Sequence, residues 1–269
     1  MTVIARLSLA FVLMGAMQTA LSSELSAAHQ RQTEDLARYL AQHALAGEQV
    51  LELQANDQPF VALKRQQRSS NPQGGILILH DAGHTPDWPV HLHQARQFLP
   101  EAGWTTLAIA MPWPGRADEA SITQSLDRIA AGVRHLNEDG LFNLVFLGYG
   151  EGAYWAARYM AERVSPLDEV GYALLMVNAD DSSGELTTYI GNVSHPTLDL
   201  VMRRERADLH WAGEWLATAR RQSRDNYTQI LDPDVASFYH GPSPNRATRR
   251  LWGWLRVNAA GREATLRQP

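Results

Sequence analysis

The sequence predicts an α/β domain built on a mostly parallel sheet with helices on both faces. Three observations predict it. From "GILILH" onward, apolar runs of strand length alternate with segments whose apolar residues recur at helical spacing. Runs such as "GILILH" and "NLVFLGYG" are apolar at successive positions, as strands covered on both faces are. The stretch "LFNLVFLGYGEGAYWAARYMAERV" passes from strand through a glycine turn into helix.

The elements follow in order. "ELSAAHQRQTEDLARYLAQHALAGE" sets Leu36, Tyr39, Leu40 and Leu45 at helical spacing, so residues 23–47 are expected to hold an amphipathic helix. "QVLELQANDQPFVALKRQQ" reads as two strands around an "NDQP" turn. "GILILH", "WTTLAIAMP", "NLVFLGYG", "GYALLMVNAD", "HPTLDLVM" and "NYTQILD" are the later strands. Helices are expected over "WPVHLHQARQFLPEAG", "SITQSLDRIAAGVRHLNEDG", "AYWAARYMAERV", "ADLHWAGEWLATARRQ" and "NRATRRLWGWLRVNA". No repeat or linker divides the chain, so residues 48–269 are read as one domain.

Composition narrows the function classes. A chain of 269 residues, 45% hydrophobic, can bury one substantial core or two small ones. Its formal net charge of -5 offers no overall basic balance for nucleic acid. Arginine is dense in the C-terminal third, while Lys64 is the only lysine. Genomic base composition explains that preference as well as an anion-binding surface would. With no cysteine, disulfides, thiol nucleophiles and thiolate ligands are excluded.

At the N-terminus Arg6 precedes an apolar stretch from Leu7 to Met17, and small residues follow at Ala20 and Ser22. That is the order of a secretory signal, and it is short of the ~20 residues of a spanning helix. Residues 1–22 are therefore expected to be a signal peptide, the mature protein periplasmic and without a transmembrane span after cleavage. An uncleaved anchor is the alternative.

The strand order, the glycine turn and a histidine-bearing loop before the last helix resemble the α/β-hydrolase fold. "ILILHDAGHTPDWP", "LPEAGWTTLAIAMPWP" and "GYGEGAYWAARY" are similar to a group of exported proteobacterial α/β-hydrolase-like proteins classed as a domain of unknown function. The likeness runs from about Glu48 to Val257, with no large lid insertion. It implies a nucleophile at the centre of the elbow, an acid after a late strand and a histidine after the last strand.

Gly150 stands at the nucleophile position, where glycine relieves a strained backbone but cannot attack. The acid position falls on Asp208, with Asp180 and Asp181 as alternatives; Asp208 at a helix start reads equally as a cap. The base position falls on His240 in "DPDVASFYHGPSP", which reads otherwise as a solvated loop histidine. The oxyanion hole would use the backbone N–H of Glu151 and one near Asp81 or Ala82. Many members of the fold have His-Gly in that loop, and this chain has His80-Asp81. The Asp81 and Glu151 carboxylates, if they point inward, would each oppose an oxyanion by on the order of 2–3 kcal/mol at ~6 Å and an effective dielectric of ~20.

His80, His84, His91 and His93, with Asp81 and Asp87 among them, offer metal-ligand chemistry. Their spacing matches no H-E-x-x-H pattern, and His91 and His93 point to different helix faces. No metal and no cofactor are expected. Trp88, Trp113 and Tyr149 fall just beyond strand ends, the edge where open parallel sheets bind ligands. With His80 and His84 they are read as lining a cleft, with loop packing as the alternative.

The leading functional reading is a periplasmic protein without standard serine hydrolase activity that binds a small molecule or an envelope protein. The alternative is a hydrolase of ester or related acyl bonds, in which Glu151, an aspartate or a metal activates water and His240 relays a proton. A third reading makes the arginine-rich C-terminal surface a contact for envelope assembly.

Overall fold

The computed structural model describes residues 29–88, 92–112, 115–116, 118–165, 171–181, 183–202, 206–232 and 244–263; the expected signal peptide, His91, Trp113 and His240 lie outside them. Helix α1 (residues 29–43) falls within the expected amphipathic segment and buries Leu40 fully. The hairpin β1 (Glu48–Ala55) and β2 (Gln58–Arg65) turns on Asn56 and Asp57, whose φ values of 46° and 60° are those two-residue hairpins require.

The alternation then runs β3 (Gly74–Leu79), α2 (Leu92–Phe98), β4 (Trp104–Ile109), α3 (Glu119–Glu138), β5 (Leu144–Tyr149), α4 (Glu151–Arg163) and β6 (Tyr172–Val177). It closes with α5 (Leu186–Asn192), β7 (Thr197–Val201), α6 (Arg206–Arg221), β8 (Tyr227–Leu231) and α7 (Arg246–Asn258). The short helix α5 has no counterpart in the reading of the sequence. Asp181 starts it by accepting the Leu186 N–H at 3.0 Å, and its other oxygen takes the indole N–H of Trp215 at 3.4 Å.

The eight strands lie in the order β1-β2-β4-β3-β5-β6-β7-β8. β2 pairs antiparallel with both β1 and β4, and every later pair is parallel. Pleating sends alternate residues to opposite faces. Leu77, Leu79, Phe146, Leu174 and Met176 join one core with residues of α3, α4 and α6. Ile76, Ile78, Val145, Leu147 and Leu175 join the other with α1, α2 and α7. This is why the strands read as unbroken apolar runs. Each fully buried Leu or Ile contributes about 1.5–3 kcal/mol. Among the described residues no helix is long and apolar enough to cross a membrane.

Candidate functional site

The central parallel strands all deliver their C-terminal ends to one edge, and the β5–α4 turn lies there. Gly150 has φ 58° and ψ -122°, a left-handed conformation that glycine holds with little cost. Gly152 is small for another reason. A Cβ on it would stand 2.3 Å from the carbonyl oxygen of Leu79, so the turn presses directly onto the end of β3.

That pressing brings Asp81 to the elbow. Oδ1 of its carboxylate accepts the N–H of Glu151 and the N–H of Ala82, both at 2.8 Å. These are the amide that follows Gly150 and an amide of the loop after β3, the two places where the resemblance leads one to expect oxyanion donors. A Cβ on Gly150 would stand 2.1 Å from both Cγ and Oδ1 of Asp81. The carboxylate therefore fills the volume that a side chain at position 150 would need and takes both amides. Gly150 is glycine because its φ is positive and because Asp81 leaves no room for a side chain.

The sequence leaves open whether the Asp81 and Glu151 carboxylates point inward; that of Asp81 does. One oxygen of its carboxylate is held by two backbone N–H groups. It also lies at the N-terminus of α4, where the helix dipole favours negative charge. Gly150, the N-cap, offers no side chain to that end, and Asp81 supplies the missing acceptor from another loop. The Glu151 carboxylate turns away: Oε1 lies 3.3 Å from Nε of Arg116 and accepts the indole N–H of Trp155 at 3.2 Å.

His80 anchors the loop that presents Asp81. Its Nδ1–H donates to the Asp81 carbonyl at 2.8 Å and its Nε2 accepts the Met111 N–H at 3.0 Å, which requires the neutral ring. Burial pushes its pKa down to about 4. The His84 N–H donates to the same Asp81 carbonyl at 3.2 Å, and its ring stacks on Trp88 with centroids 4.0 Å apart.

Other expected site residues divide. Tyr149, read as cleft-lining, is buried: its hydroxyl accepts from Asn178 at 2.9 Å and its ring meets the edge of Trp88. That corrects the cleft reading for Tyr149, because the last residue of β5 still points into the core. The Asp180 N–H donates to the Gly150 carbonyl at 3.1 Å, while its carboxylate faces Arg116 at 3.5 Å. Asp181 is committed to α5, and Asp208 lies in the first turns of α6. Among the described residues no three His, Asp or Glu side chains gather as a metal site. The sequence reading missed Arg116, Arg96 and Arg128, since single arginines carry no motif. The signal that could have revealed the Asp81 arrangement was the pairing of two departures, His-Asp for His-Gly and glycine for the nucleophile.

A cavity of about 510 Å³ opens between α1, β2, the β3–α2 loop that carries Asp81, the end of β4 and α3; His80 and His84 line it.

Strand order, antiparallel β2, the glycine elbow at the sheet's edge and the paired amides define a protein of the α/β-hydrolase fold. Solved structures agree in fold. An esterase from Pyrococcus furiosus superposes with a TM-score of 0.63 at 11% identity, over 79% of this chain and 92% of that one. Dienelactone hydrolase from Anabaena variabilis gives 0.60 at 16%, over 79% and 98%. Est1E from Butyrivibrio proteoclasticus gives 0.58 at 11%, over 78% and 98%. No curated protein matches the chain in sequence. The DUF3530 family, described as protein of unknown function, matches residues 13–123 and 114–257, and the chain belongs to it.

Proposed function

We propose that this protein is a periplasmic ligand-binding member of the α/β-hydrolase fold that does not transfer acyl groups through a serine. One observation carries the reading: the Asp81 carboxylate occupies both the oxyanion donors and the nucleophile's volume. A substrate carbonyl oxygen would have to displace an anion already held by the two amides, and no side chain at Gly150 could attack it. The periplasmic part rests on the order of Arg6, apolar core and small residues at the N-terminus.

The test is purified mature protein assayed against short- and long-chain acyl esters and a fluorophosphonate probe. The reading predicts no labelling at the elbow and no saturable ester turnover. Labelling or saturable turnover would overturn it.

The position of Asp81 also favours a second reading, a hydrolase whose carboxylate replaces the serine as nucleophile or water activator, with His240 as proton relay. Saturable turnover lost in both Asp81→Asn and His240→Ala would favour that reading.

A further inference from the structure

The cavity beside the loop after β3 contains a charge that no described residue compensates. Arg128 projects from α3 into its lining and is only 5% exposed. Among the described residues its one hydrogen bond runs from Nη1 to the Ala110 carbonyl at 2.8 Å, and its buried Nε–H meets no acceptor there. No carboxylate lies within ion-pairing distance of it among the described residues. The face of Phe60, 5.2 Å from Cζ, gives partial cation–π support. Burial lowers its pKa to about 10, so the guanidinium remains charged at neutral pH.

A buried cation without a counter-charge is costly, and removing that cost is what an anion bound beside it would do. Leu36, Phe60, Val61, Pro86 and Met111 supply an apolar part of the lining, while His29, Gln32, Thr33, Thr85 and Gln124 supply a polar part. The cavity's size is within the ~300–1,000 Å³ range of small-molecule sites. Asp35 also lines it, but is exposed and paired with Arg38 at 3.0 Å. His80 is held neutral by its two hydrogen bonds. One buried guanidinium beside an apolar stretch of an otherwise polar lining matches a single planar anion with a hydrocarbon body.

We propose that this cavity binds an amphipathic monocarboxylate, with its head group on Arg128 and its hydrocarbon chain against Leu36, Phe60 and Met111. The proposal rests on the ligand-binding reading above and names its ligand class.

The test is calorimetric titration of the mature protein with sodium octanoate and, in parallel, with 1-octanol. Octanoate should bind with one-to-one stoichiometry and at least tenfold more tightly than octanol. Arg128→Met should erase that preference. Met111→Trp, which fills the cavity without touching the charge, should abolish octanoate binding. The proposal is overturned if octanoate does not bind, if octanol binds as well, or if both variants bind octanoate as the native protein does. Ester turnover would defeat the binding-protein reading while leaving the octanoate result standing, so the two fail separately.

Discussion

At the scale of single residues, Asp81, Gly150 and His80 act as one unit. His80 holds the loop, the loop seats the Asp81 carboxylate on two amides, and Gly150 makes way for it. The hydrogen bonds of His80 require its neutral ring, and this has a consequence for stability against pH. Its pKa falls from 6.5 in the unfolded chain to about 4 in the folded one. Between those values the unfolded state takes up the proton first, so His80's contribution is complete above pH 6.5 and is lost as pH falls toward 4. The loss amounts to about 3 kcal/mol at one pKa unit per ~1.4 kcal/mol. Asp199, which burial pushes up to about 6, works in the opposite direction: its folded form keeps the proton, so acid favours the fold through it. Comparing native protein with His80→Gln separates the two. The variant's deficit in urea unfolding should shrink by about 3 kcal/mol between pH 7 and pH 4. A deficit independent of pH would contradict the neutral-ring account.

At the scale of elements, the placement of α2 shows what the sequence could and could not reveal. The strands were legible because both faces are covered, which leaves unbroken apolar runs. The elbow was legible because Gly148, Gly150 and Gly152 sit where a strand gives way to a helix. Helix α5 was not legible, because its seven residues carry one apolar turn and its start depends on Asp181 and Trp215 from elsewhere. Nor could sequence pair Glu48 with Arg96, which meet at 2.7 Å with both side chains 1% exposed. Arg96 also donates to the Pro86 carbonyl at 2.6 Å, and Glu48 accepts the Leu45 N–H at 2.7 Å. The pair thus ties α2 to the start of β1 and to the loop that runs from Asp81. Arg96→Met should destabilise the protein by about 3–5 kcal/mol, since it strands a buried carboxylate. Glu48→Gln with Arg96→Met should recover a substantial part of that loss in the same melt. No recovery would show that packing of the arginine stem, and not charge pairing, holds the joint.

At the scale of the whole molecule, the sheet does for this chain what it does across the fold: it gathers loops at one edge and fixes an elbow there. What differs is the occupant. The Asp81 carboxylate came from a loop about 70 residues away in sequence, so its arrival at Gly150 depends on the parallel pairing of β3 with β5. Read singly, Asp81 and Gly150 each look like a damaged position; the register of two strands makes them one fitted pair. The most direct measurement is a double-mutant cycle of Gly150→Ser and Asp81→Ala in urea unfolding. Gly150→Ser alone should cost at least the ~1–3 kcal/mol of a strained backbone, with displacement of the carboxylate added. If the pair is fitted, the double variant should be more stable than the sum of the single effects predicts, by about 1 kcal/mol or more. Additive effects would contradict the claim that Asp81 occupies the space of a side chain at position 150.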